Sequence, residues 1–277
     1  MDMKDIQLSL SARGNRTKNI KRHCSFLISH LKYHTNLKNL DISNIADVYG
    51  SVDIPSPLWG GRIQNGRSDL CRIDVYWLYD NNIGIKLTIS ATDFTDDQYK
   101  SSSMLLKTFN RKGNTVIVSN KDLAKRIKND YPNYNIEASS IMNINSLKKL
   151  DFNIYDSIVP PISSNDNIDF LKSIPTEYRK RITLFANVDC SYTCPAKICY
   201  KTMQKVNLTN DDSHFKCSHL DHKLPRTFYN DDKDWLNFYF DIDTLYSIGY
   251  KKYKILTPDP IYTHIDFLYK KKPEILY

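Results

Sequence analysis

The chain has 277 residues, 41% of them hydrophobic, and a mean hydropathy of −0.50. That is enough for one sizeable core in water, and no apolar run reaches the roughly 18–20 residues that would make a membrane bundle. The first residues carry acids and no apolar signal core, so the six cysteines are expected to be reduced thiols or metal ligands in a cytoplasmic protein rather than a disulfide framework. A net charge of +8 and a pI of about 9.0 are compatible with a polyanionic partner, although Lys, Asn, Ile and Tyr are abundant throughout.

In chain order, Asp5–Leu10 is the first expected strand. Asn15–Leu37 then carries Ile20, Cys24, Leu27, Ile28 and Leu31 at near-helical spacing, which predicts a helix with one apolar face and places Cys24 in the core. Asp47–Ser51 is the second strand, and the irregular stretch Val52–Ser68 follows it. Ile83–Ser90 is the third strand. Asp93, Asp96 and Asp97 after it fit a solvated helix start, where carboxylates favour the helix dipole. Helices are predicted over Tyr99–Phe109, over Asn120–Asp130 with Asn120 as N-cap, and over Asn143–Leu150 with Asn143 as N-cap. The remaining strands are Asn114–Ser119, Asn135–Ser139, Asp156–Val159, Ile182–Asn187 and Tyr253–Thr257.

Strands alternating with helices imply parallel pairing, and eight of them fit a single (β/α)8 TIM-like barrel better than a doubly wound sheet. No internal repeat or Pro/Gly linker divides the chain, so residues 1–277 are expected to form one domain. A long Cys/His-rich insertion, about 188–235, follows the seventh strand. Barrels of this kind place their chemistry at the carboxyl ends of the strands, where both irregular stretches begin.

The segment "NVDCSYTCPAKIC" supplies Cys190, Cys194 and Cys199, and Cys217 lies further on among His214, His219 and His222. Thiolates are soft, charged donors suited to iron–sulfur clusters and zinc. The spacing departs from the Cys-x-x-Cys knuckle of zinc ribbons, which puts an iron–sulfur cluster ahead of zinc. The competing reading is a set of separate, small buried side chains. Cys71 either completes a ligand set or packs at a helix start.

The loop "SPLWGGRIQNGRSDL" places Gly61 and Gly66 beside Arg62 and Arg67. Glycine permits close backbone approach to a ligand and arginine offers a fork to carboxylate or phosphate. Trp59 is expected to stack on a ring or close the site. The alternative is a structured turn with its arginines in water. The glycine spacing fits neither a dinucleotide fingerprint nor a Walker loop, and no nucleophile–base motif is present.

Several segments, in order from about Asp47 to Pro260, resemble the collagenase-like peptidase family: "DVYGSVDIPSPLWGGRIQNGR", "YDSIVPPISSNDNIDFLKSI", "NVDCSYTCPAK" and "IDTLYSIGYKKYKILTPDP". The resemblance implies a (β/α) barrel and an iron–sulfur protein, with a 4Fe-4S cluster, acting in oxygen-independent hydroxylation like that of ubiquinone precursors or RNA. It implies Cys190, Cys194 and Cys217 as cluster ligands, with Cys199 or Cys71 as the fourth. Gly61, Arg62, Gly66, Arg67 and Asn187 would form the substrate-binding set. A small molecule or RNA is the substrate so implied, with a protein partner allowed. The rival readings are a zinc-stabilised RNA-binding or accessory protein without catalysis, and a metal-dependent peptidase.

Overall fold

Short segments in which apolar and polar residues alternate become eight strands: β1 Gln7–Ser11, β2 Ile45–Gly50, β3 Gly84–Leu87, β4 Thr115–Val118, β5 Asn135–Ala138, β6 Ser157–Ile158, β7 Thr183–Phe185 and β8 Lys252–Ile255. The computed structural model describes residues 5–13, 15, 19–60, 68–188, 191–192, 198–209, 211–216 and 239–257. All the strand pairings are parallel, in the order β6-β5-β4-β3-β2-β1-β8-β7. A single bridge between Ile158 and Ile182 closes the ring, which makes the protein a (β/α)8 barrel, as its pattern of elements predicts.

The helices are α1 Ile20–His34, α2 Arg72–Asp80, α3 Asp96–Ser101, α4 Ser103–Thr108, α5 Lys121–Asp130, α6 Ile168–Ser173, α7 Thr176–Arg179, α8 Cys199–Thr209 and α9 Ile242–Ser247. Asn120 caps α5 by accepting from the Asp122 and Leu123 amides. Asp96 and Asp97 sit in the first turn of α3, the dipole-favoured position, behind a Thr95–Gln98 capping box. Asp74 heads two helices at once. Its carboxylate accepts from the Ile20 amide of α1, and from the Cys71 amide and thiol at the start of α2.

Two expectations need correction. The stretch from Asn143 to Leu150 is not an α-helix: one 3-10 turn, Ser140–Met142, ends at Asn143, and a second, Leu147–Lys149, lies within the stretch. Asn143 caps the first of these from a left-handed conformation (φ 53°) that asparagine tolerates and a helix start cannot use. The insertion after β7 is also not wholly loop, because it contains the eleven-residue helix α8.

Residues alternate strictly across the barrel wall. Leu8, Leu10, Val48, Ile85, Leu87, Val116, Val118, Ile136, Leu184, Tyr253 and Ile255 are buried, packing between sheet and helices, where each apolar side chain contributes about 1.5–3 kcal/mol. The intervening residues face the lumen, and most of them are polar: Ser9, Ser11, Asp47, Lys86, Thr88, Thr115, Glu137, Ser157, Thr183, Lys252 and Lys254. A barrel interior is more often filled with branched aliphatic side chains. The apolar core of this protein lies outside the barrel wall.

Candidate functional site

Midway up the lumen, Lys86 Nζ donates to Glu137 Oε2 at 2.6 Å and pairs with Asp47 Oδ2 at 3.2 Å. Ser9 Oγ donates to the other Asp47 oxygen (2.5 Å), and Ser157 Oγ donates to Glu137 Oε2 (3.0 Å). Lys254 Nζ stands 3.9 Å from Glu137 Oε1 and 4.1 Å from the centre of the Tyr49 ring, while the Tyr49 hydroxyl donates to the Ile255 carbonyl. Glu137 is fully buried, and its Oε1 accepts no hydrogen bond among the described residues.

Burial opposes every one of these charges, and the partners decide the sign. Burial raises the carboxyl of Glu137, but Lys86 and Lys254 outweigh it and hold the group below the usual range. Burial lowers Lys86, yet the two carboxylates beside it hold its ammonium above the ordinary lysine value. For Asp47 burial wins, helped by Glu137, and the carboxyl is raised despite Lys86. Held between two carboxylates, Lys86 is favoured in its charged form. Glu137 is a fixed anion with one oxygen left to accept a bond. No motif gave this cluster away, although the alternations "IGIKLTIS", "NIEASS" and "KYKIL" carried it.

Above the cluster, α8 roofs the carboxyl mouth. It follows β7, yet it reaches the loops after β2 and β3. Gln204 Oε1 accepts from the Thr92 amide (2.9 Å), its Nε2 donates to the Asp93 carbonyl (2.6 Å), and Asn207 Nδ2 donates to the Trp59 carbonyl (3.5 Å). Cys199, Met203, Gln204 and Val206 are buried on the inner side of this helix. Beneath it the hydroxyls Thr88 Oγ1 and Ser119 Oγ, like Glu137 Oε1, are buried without a partner among the described residues. These three groups stand on the adjacent strands β3, β4 and β5 or just past their ends.

Of the expected metal ligands, Cys199 is the first residue of α8 and only 8% exposed. Cys190, Cys194 and Cys217 lie outside the described residues, as do Gly61, Arg62, Gly66 and Arg67 of the Gly-Arg loop. Among the described residues no group of three or more His, Cys, Asp or Glu side chains converges. The Cys71 thiol donates to Asp74 Oδ2 (3.2 Å) at the head of α2. Cys24 is buried in the core as expected, and burial pushes its thiol up to about 12.

Asn187 is buried at the end of β7, and both ends of its amide engage Leu256. Its Nδ2 donates to the carbonyl (2.9 Å) and its Oδ1 accepts from the amide (2.8 Å), lacing β7 to β8. Trp59, expected to stack on a ligand, is 1% exposed with its Nε1 donating to the Ile54 carbonyl. Its indole belongs to the core. Gly60 beside it packs on the backbone after β3, where a Cβ would lie 2.3 Å from the Ser90 carbonyl oxygen. Close approach, rather than positive φ, is what demands glycine there.

Among the described residues no helix is long and apolar enough to cross a membrane. No family model and no curated protein matches the chain. Among solved structures it is similar to the U32 peptidase Mk0906, with 11% sequence identity and a TM-score of 0.49 over 91% of this chain and 92% of that one.

Proposed function

We propose that this barrel holds an iron–sulfur cluster at its carboxyl mouth and takes part in oxygen-independent hydroxylation, or a related modification, of a small molecule or RNA. The observation that carries the reading is the position of Cys199. It is buried at the start of the helix that roofs the mouth, directly downstream of a β7 strand end whose continuation includes Cys190 and Cys194. With Cys217, four thiols would then come from one chain segment at the end of the barrel where such folds do their chemistry.

When bound, such a cluster supplies electron transfer or Lewis acidity. The remaining work falls to the chain itself. Arg62 and Arg67 would hold an anionic group of the substrate by forked hydrogen bonds. The roof formed by α8 would exclude water. Beneath it, Glu137 and the hydroxyls of Thr88 and Ser119 offer polar atoms with bonding capacity left to orient a polar substrate. Glu137 keeps its negative charge there because Lys86 and Lys254 offset the cost of burial.

The test is anaerobic purification followed by an absorption spectrum and iron and sulfide analysis of the wild type, Cys194→Ser, Cys199→Ser and Cys71→Ser. The reading expects a brown protein that loses colour and iron in the first two variants and keeps both in Cys71→Ser. Arg62→Ala should leave iron content unchanged while weakening substrate binding. A colourless, iron-free wild type would sink the proposal, and stoichiometric zinc would replace it with a structural metal.

A further inference from the structure

At its opposite end the barrel opens into a cavity. It measures about 280 Å³ and lies at the amino ends of the strands, with Lys86 and Asp47 at its inner wall and Lys252 at its rim. Gly84 and Gly113 meet there, and a Cβ on Gly84 would sit 2.2 Å from the Gly113 carbonyl oxygen.

The polar groups facing this cavity divide into two sets. One set is satisfied from within. Asp47 is held by Ser9 and Lys86, and Asp156 accepts from the Ile136 amide (2.9 Å) and pairs with Lys128 (3.2 Å). In the other set, Lys252, Thr183, Thr115 and Asn135 have side chains that bond no described residue. Every member of that second set can donate a hydrogen bond.

The four also come as two register pairs. Thr183 stands opposite Lys252 on β7 and β8, and Thr115 opposite Asn135 on β4 and β5, so donors reach the cavity from two sides. Lys252 has no carboxylate within ion-pair distance among the described residues. Burial and the nearby Lys86 ammonium hold its pKa below the usual lysine value, against the pull of Asp47 and Glu137. Asp47 and Asp156 are committed to Lys86 and Lys128, so this half-buried ammonium, flanked by uncommitted donors, has no ion-pair partner among the described residues.

We propose that the amino-terminal mouth of the barrel binds a small oxyanion, a phosphate or carboxylate group, with Lys252 as its counter-ion and Thr183, Thr115 and Asn135 donating to its oxygens. The site is separate from the cysteine-bearing mouth and does not depend on any metal there. It takes a small ligand, because its volume equals that of about nine waters at some 30 Å³ each.

The test is isothermal titration of the full chain with inorganic phosphate and with acetate, at constant ionic strength in chloride. Saturable binding is expected, and the tighter of the two anions identifies the group. Lys252→Met should weaken binding by about 10–100-fold, the loss of one charge-assisted hydrogen bond, while Lys252→Arg keeps most of it. Independently of any variant, the bound anion should slow acetylation of Lys252 in the wild type, read by mass spectrometry, and leave exposed Lys112 unaffected. If Lys252→Met does not fold, that protection decides the matter. The absence of saturable binding of either anion overturns the proposal, as does undiminished binding in Lys252→Met. So does binding without protection of Lys252, which would put the anion elsewhere, for instance on Arg62 and Arg67.

Discussion

Replacing Lys86 with methionine keeps most of the side-chain volume and removes only the charge. In the wild type its ammonium lies 2.6 Å from Glu137 and 3.2 Å from Asp47, with 7% of its side chain exposed. Without it, two carboxylates share a lumen in which Lys254, 3.9 Å from Glu137, is the one ammonium left within ion-pair distance of either among the described residues. Breaking a buried pair by removing one partner costs about 3–5 kcal/mol, so Lys86→Met should lose roughly that at neutral pH.

The pH dependence separates this cause from a packing defect. In the wild type Glu137 is held below its ordinary value, so its contribution is present above the usual carboxylate range and lost as pH falls through the lowered value. Asp47 is raised and acts in the opposite sense. In the variant the largest charge opposing burial is gone, both carboxyls rise, and protonation then relieves the folded state. The stability gap, measured by urea unfolding at successive pH values, should therefore shrink as pH falls through the raised values. Adding Glu137→Leu should recover most of the loss, because an apolar replacement leaves no charge to strand. A gap that stays constant with pH, or a double variant no better than the single one, would refute the reasoning.

Three further outcomes can be checked directly. Arg181 donates to the carbonyls of Asp156, Phe152 and Tyr155 beside the single bridge that closes the ring, so Arg181→Met should cost about 1–3 kcal/mol in thermal or urea unfolding. Gly60→Ala forces a Cβ against the Ser90 backbone and should destabilise by about 1–3 kcal/mol, with protease sensitivity rising first around residues 58–60. Gln204→Ala removes the acceptor of the Thr92 amide, and hydrogen exchange at Thr92 should accelerate by about tenfold while the amides of β4 are unchanged.

All eight strands could be placed from the sequence because each is a short β-rich run, and helical periods lie between most of them. The helix expected at Asn143 failed for a local reason. Asn143, Asn145 and Ser146 crowd one stretch, and each offers the backbone a turn in place of a helix. The period of α8 was there to be read, with Cys199, Met203 and Val206 at i, i+4 and i+7, but sulfur and polar flanks masked it as loop. The charged lumen was harder. Alternation such as Ile85-Lys86-Leu87-Thr88 ordinarily means a strand with one face in water, and only closure of the ring reveals that the polar face looks inward. The roles proposed for Arg62, Arg67, Cys190, Cys194 and Cys217 rest on residue chemistry alone, because these residues lie outside the described structure and spacing does not fix which side chains meet.

Because the polar side chains point inward, the hydrophobic mass of this protein is a hollow cylinder, wrapped between wall and helices, with no plug at its axis. Apolar packing then anchors each strand mainly from its outer side. If a helix peels away, the strand beneath it is wetted on its outer face while its inner face is mostly polar, with Tyr49, Ile117 and Phe185 as the apolar exceptions, so little apolar contact remains to hold it in the ring. Helix and strand should leave together. The barrel should come apart as whole βα units, and an intermediate with a bare, intact ring of strands has nothing to stabilise it.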